Sequence, residues 1–149
     1  MTEEECQQRI KKPAVLPEPT PKKITLQKPL KQVLIVELPY PDPKLSPNRK
    51  NGTHWGATKK VKDKARNDAF LMATQAMAGF KFADATLLSV SIMYIQKDKR
   101  HRDLDNLLAA SKPMLDGIAK AIGVDDKIFA PITIMRQYSN FSGMTVRIE

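Results

Sequence analysis

A chain of 149 residues with a formal net charge of +9 has room for one domain with a hydrophobic core and not comfortably for two. Its single cysteine, Cys6, excludes an intrachain disulfide and a cysteine zinc site and fits a reducing cytoplasm. The N-terminus opens on acidic Glu3, Glu4 and Glu5 with no apolar segment behind them, and no apolar run reaches membrane-spanning length, so no membrane partner is expected.

Residues 1 to 29 are rich in proline (Pro13, Pro17, Pro19, Pro21, Pro29) and charge and poor in large apolar groups. Such a segment buries too little surface to offset its ordering entropy, and it reads as a flexible extension ahead of a domain over residues 30 to 149. The first thirty residues hold six basic and four acidic groups, so most of the positive excess belongs to the domain. A basic domain points first to a nucleic-acid partner, with an acidic protein as the other reading.

Within the domain, KQVLIVEL (31–38) is a β-branched run stopped by Pro39 and Pro41, which predicts a first strand. Pro43, Ser46-Pro47-Asn48 and Asn51-Gly52 mark a turn-rich loop carrying Arg49, Lys50, His54 and Trp55. From about Thr58 to Ala78, Val61, Ala65, Ala69, Met72 and Ala76 recur at helical spacing, with Thr58 as the expected cap. Lys59, Lys60, Lys62, Lys64 and Arg66 crowd the first turns of that helix, where cations oppose the macrodipole; a phosphate backbone would favour them.

TLLSVSIMYI (86–95) alternates Leu88, Val90, Ile92 and Tyr94 on one face and is the clearest strand in the chain. A second helix follows from about Asp105 to Ile122, with Leu104, Leu107, Leu108, Leu115, Ile118 and Ile122 as its buried stripe and Gly123 as its terminator. Pro113 lies inside and is expected to kink or split it. Strands around Ile132–Tyr138 and Met144–Ile148, joined by a turn at Asn140 to Gly143, complete a β-α-β-α-β-β order. That order predicts an α+β fold with a mixed or antiparallel sheet and two main helices.

The stretch Arg100-His101-Arg102-Asp103-Leu104-Asp105-Asn106 places two carboxylates between a basic run and an apolar helix. In an extended backbone Asp103 and Asp105 share a face; in a helix they diverge. They can act together only if Asp103 ends an extended segment or caps a helix that starts near Asp105 or Asn106. Two like charges so close call for a cation, and a hard divalent ion with oxygen ligands suits them. The bland alternative is a helix start in which Asp103 caps and Asp105 favours the macrodipole. A second pair, Asp125-Asp126, lies beyond the helix, roughly 27 Å along its axis at 1.5 Å per residue, so a dimer or a long return loop is needed to unite the pairs.

RDLDNLL, the later Asp125-Asp126 and the entry LPYPDPKLSPNRK…HW together resemble the RusA family of Holliday junction resolvases, its phage and prophage members above all, over roughly residues 31 to 149. The resemblance implies a small homodimer in a bacterial or phage-infected cytoplasm that binds four-way DNA junctions and nicks them symmetrically with Mg²⁺, Mn²⁺ being a possible substitute. It implies Asp103, Asp105 and Asp126 as metal-holding catalytic carboxylates, with Asp125 as the adjacent alternative to Asp126, and a site completed across the dimer. The family lysine falls four residues after the second Asp, where this chain has Ala109; Lys112 is the nearest substitute. Seven residues from Asp105 return to nearly the same helix face, roughly 10 Å along the axis.

Arg49, Lys50, Lys97, Lys99, Arg100 and Arg102 are the expected contacts to DNA phosphates. Trp55 is either a stacking platform for an unpaired base or a loop anchor. His54 and His101 are read as a loop hydrogen-bonder and a solvated neighbour of the site. Two alternatives stand beside the nuclease: a non-catalytic branched-DNA-binding protein that keeps the acidic motif as a helix start, and a small-molecule phosphatase of the DxD type.

Overall fold

In the computed structural model, which describes residues 32–49, 55–79, 81–82 and 85–149, the alternation of Leu88, Val90, Ile92 and Tyr94 becomes β2 (Leu88–Gln96). Its buried face continues one step further to Gln96. β1 (Leu34–Leu38) buries Leu34, Val36 and Leu38 by the same period of two. β3 (Phe129–Tyr138) and β4 (Gly143–Ile148) complete a four-stranded sheet in the order β1-β4-β2-β3. β1 and β2 both run antiparallel to β4, whereas β2 and β3 are parallel. The sheet is therefore mixed. A parallel neighbour requires a crossover, and the helix between β2 and β3 supplies it.

The register aligns side chains in rows across the core face. One row runs Leu34–Ile148–Val90–Ile132, the next Val36–Val146–Ile92–Ile134, the next Leu38–Met144–Tyr94–Arg136. The first three members of each row are buried. Against them pack α1 (Trp55–Met77) and α2 (Leu104–Ile122), which makes a two-layer α+β domain. Residues of the opposite face, such as Ile35, Arg147 and Met93, stay partly or fully exposed.

α1 begins at Trp55, three residues before the expected cap Thr58. Its buried ridge is Ala69, Ala73 and Met77, whereas Met72 and Ala76 are exposed. The stripe is rotated from the one expected because small residues four apart let α1 approach α2 closely. At Gly117 of α2 even a methyl group would lie 2.2 Å from the Arg66 carbonyl oxygen. α2 runs unbroken through Pro113 and ends at Gly123, whose φ of 81° is left-handed and whose amide returns to the Ala119 carbonyl. The expected split at Pro113 does not occur.

The proposed extension over residues 1–29, Lys50 and His54 lie outside the described residues, as does the Trp55 side chain. Among the described residues no helix is long and apolar enough to cross a membrane.

Candidate functional site

The loop between β2 and α2 is held from both sides. Gln96 donates from Nε2 to the Tyr40 hydroxyl at 2.6 Å, and the Arg102 guanidinium lies 5.2 Å from the centre of the Tyr40 ring while pairing with Asp98 at 3.0 Å. The Tyr40 side chain and Asp98 keep the Arg102 guanidinium more firmly charged than usual. From β3, Arg136 donates to the Arg102 carbonyl oxygen and places a guanidinium nitrogen 3.3 Å from His101 Nδ1. The residue immediately before Asp103 is thus held by Arg136 of β3 on its backbone and by Tyr40 and Asp98 on its side chain.

Asp103 follows in extended geometry (φ −66°, ψ 129°) at the N-cap of α2, and its carbonyl accepts from the Leu107 amide. Its carboxylate makes no capping bond; it accepts from Asn106 Nδ2 at 3.3 Å. It therefore remains exposed, lining a cavity of about 310 Å³ with Tyr40, Arg49, His101, Arg102 and Asn106. Asp105 is already the second residue of α2 and faces elsewhere. It opens onto a second cavity of about 500 Å³, walled by Leu108, Phe129 and Ile132 and shared with Lys112 and Asp126.

Asp126 reaches that cavity because the chain turns back at Gly123 and enters a short 3₁₀ turn, Asp126–Ile128, before β3. Lys112, mid-way along α2, donates to the Asp126 carboxylate and lies 3.1 Å from Asp116, which also meets Arg66 at 3.5 Å. Within one protomer Lys112 thus reaches Asp126 from the middle of α2, while Asp105, seven residues before Lys112, lines the same cavity. Asp125 plays a different part, its carboxylate capping the 3₁₀ turn by accepting from the Lys127 amide at 3.0 Å. That backbone bond first, then the Lys127 side chain, holds its carboxyl below the usual carboxylate range.

Among the described residues no three His, Cys, Asp or Glu side chains group closely enough to hold a metal ion. The donors that do share a cavity, Asp105 and Asp126, are oxygen donors, which suits a hard divalent ion. Asp103 stands in the adjoining cavity, on the other side of the first turn of α2.

Lys97, Lys99 and Arg100 are exposed on the loop, and Arg49 is exposed at the first cavity. Arg102, in contrast, is half-buried and engaged with Tyr40 and Asp98, so it braces the loop as well as contributing charge. Sequence reasoning missed Arg136, Gln96 and Tyr40. Arg136 carried a readable signal: it falls in phase with Ile132 and Ile134, a cation where the strand pattern calls for an apolar residue.

Fold and site define a basic two-layer α+β protein with an acidic pair at the start of its crossover helix. No family model matches the sequence. An uncharacterized protein of Xylella fastidiosa is 33% identical over 118 residues, covering 78% of this chain and 76% of the relative. The chain belongs to the same family as that protein.

Proposed function

We propose that this chain is a Mg²⁺-dependent endodeoxyribonuclease of the RusA type that resolves four-way DNA junctions as a homodimer in a bacterial or phage-infected cytoplasm. The observation that carries this reading is that Asp105, Lys112 and Asp126 line one cavity and Asp103 another on α2, with exposed Lys97, Lys99 and Arg100 on the loop that precedes Asp103. Residues 30 to 149 form the catalytic domain in this reading, and residues 1 to 29 an appendage to it.

Lys97, Lys99, Arg100 and Arg49 bind backbone phosphates and position the DNA without reading its sequence. Asp103, Asp105 and Asp126 would hold the magnesium ion, for which manganese can substitute, the set being completed across the dimer. When bound, the ion polarises the phosphoryl group and makes a water more acidic. Lys112 pairs with Asp116 and Asp126 before DNA arrives and then offers its ammonium to the phosphoryl oxygens or the leaving oxygen. Two-fold symmetry of the dimer matches that of a junction and places one nick on each of two opposing strands.

One observation favours a second reading, a non-catalytic branched-DNA-binding protein: Asp103 and Asp105 open onto different cavities. Incubation of synthetic four-way, forked and linear duplex DNA with the full chain and Mg²⁺ separates the two. Paired nicks in the four-way substrate support the nuclease; tight junction binding in EDTA without nicking at any Mg²⁺ or Mn²⁺ concentration supports the binding protein.

A further inference from the structure

The β3–β4 turn carries an aromatic that stands half exposed outside the core. Phe141 is 54% exposed and Tyr138, three residues earlier, is 46% exposed. Fuller burial of either ring would stabilise the fold further, yet the structure leaves about half of each residue exposed to water. Their position is fixed across more than forty residues of sequence. The Ser139 amide donates to the Gln96 carbonyl at 2.9 Å, and the Lys97 amide donates to Ser142 Oγ at 3.2 Å. The turn is therefore stitched to the first residue of the basic run, and Lys97, Lys99 and Arg100 stand exposed on the segment that leads to Asp103. Asp98, the acidic residue of that run, is paired with Arg102.

Exposed rings beside exposed cations are complementary to a polyanion with accessible aromatic faces, which favours a nucleic acid over a protein partner. In an intact duplex each base is stacked on both sides and offers no free face. At the crossover of an unstacked four-way junction, the last base pair of each arm loses a stacking neighbour and exposes a face. A ring held at the end of the phosphate-binding loop replaces that neighbour.

We infer that Phe141, assisted by Tyr138, is a base-stacking element that lets the protein distinguish opened, branched DNA from continuous duplex. The inference rests on the proposed function and specifies its substrate selectivity. It gives to this turn the stacking role considered above for Trp55.

The test is the ratio of two affinities. Full-length wild type, Phe141→Ala and Phe141→Trp are titrated in EDTA against a fluorescent four-way junction and a linear duplex of the same arm sequence. Phe141→Ala should weaken junction binding about tenfold or more while changing duplex binding less than about twofold, and Phe141→Trp should restore the ratio. Equal loss on both substrates, or no loss on the junction, overturns the stacking role while leaving the nuclease reading intact. A wild-type protein that binds the junction no better than the duplex overturns both.

Discussion

The ammonium of Lys112 donates to the Asp126 carboxylate across fourteen residues of sequence, so the middle of α2 anchors the 3₁₀ turn beyond its C-terminal end. The same ammonium touches Asp116 at 3.1 Å. It stands where the proposed site needs a positive charge before any phosphate or metal ion is present. Lys112→Met keeps most of the side-chain volume and removes that charge. Single-turnover cleavage of a four-way junction should fall about 100-fold, as when one charge-stabilising donor is lost, with junction affinity in EDTA changed little. Cleavage at the wild-type rate would show that Lys112 serves only to hold the turn.

Tyr94 links the central strand to α2: its hydroxyl lies 2.9 Å from Ser111 Oγ, which itself donates to the Leu107 carbonyl. Burial pushes its phenol up to about 12 from the ordinary 10.0, the Ser111 bond opposing this in part. A raised folded value means the neutral phenol contributes its full stability below pH 10 and loses it as pH rises towards 12. Denaturant unfolding between pH 9 and 12 should therefore show a steep alkaline loss in the wild type. Tyr94→Phe should cost about 1 kcal/mol at pH 7 through the lost hydrogen bond and then decline less steeply. Parallel alkaline slopes would contradict this assignment.

Gly117 sets the distance between the two helices. A Cβ there meets the Arg66 carbonyl oxygen at 2.2 Å and the Phe70 amide nitrogen at 3.1 Å, both backbone atoms that no rotamer change can move. Gly117→Ala should lower unfolding free energy by about 2–3 kcal/mol, because overpacking outweighs the roughly 1 kcal/mol that alanine gains inside a helix. Urea melts would read the difference as a shifted midpoint with an unchanged slope. An unchanged or raised midpoint would mean that the helices separate at little cost.

Much of this architecture was legible because its strands and α2 obey simple periods. Leu88, Val90, Ile92 and Tyr94 announce β2 by alternation, and Gly123 marks the end of α2 by its left-handed backbone. The candidate site was only half legible, for local reasons. The acidic pair needed a helix starting at Asp105 or Asn106 to keep both carboxylates together, and α2 starts at Leu104. That early start turns Asp105 onto the face it shares with Lys112. The length of α2 alone did not show that Lys112, a long side chain in mid-helix, reaches Asp126 once the chain folds back at Gly123. Arg136 shows a third limit: strand period places it in the core row, but its bond to the Arg102 carbonyl depends on tertiary approach.

The most direct measurement is made on Asp105→Asn, which preserves the shape of a side chain lining the cavity of Lys112 and Asp126 and removes its charge. Junction binding in EDTA and junction cleavage in Mg²⁺ are compared with wild type in the same full-length protein. Binding should stay within about twofold and cleavage should fall by about 1000-fold, the scale expected when an essential catalytic group is lost. Cleavage retained at the wild-type rate, or binding lost in step with cleavage, would contradict a carboxylate centre at the start of α2.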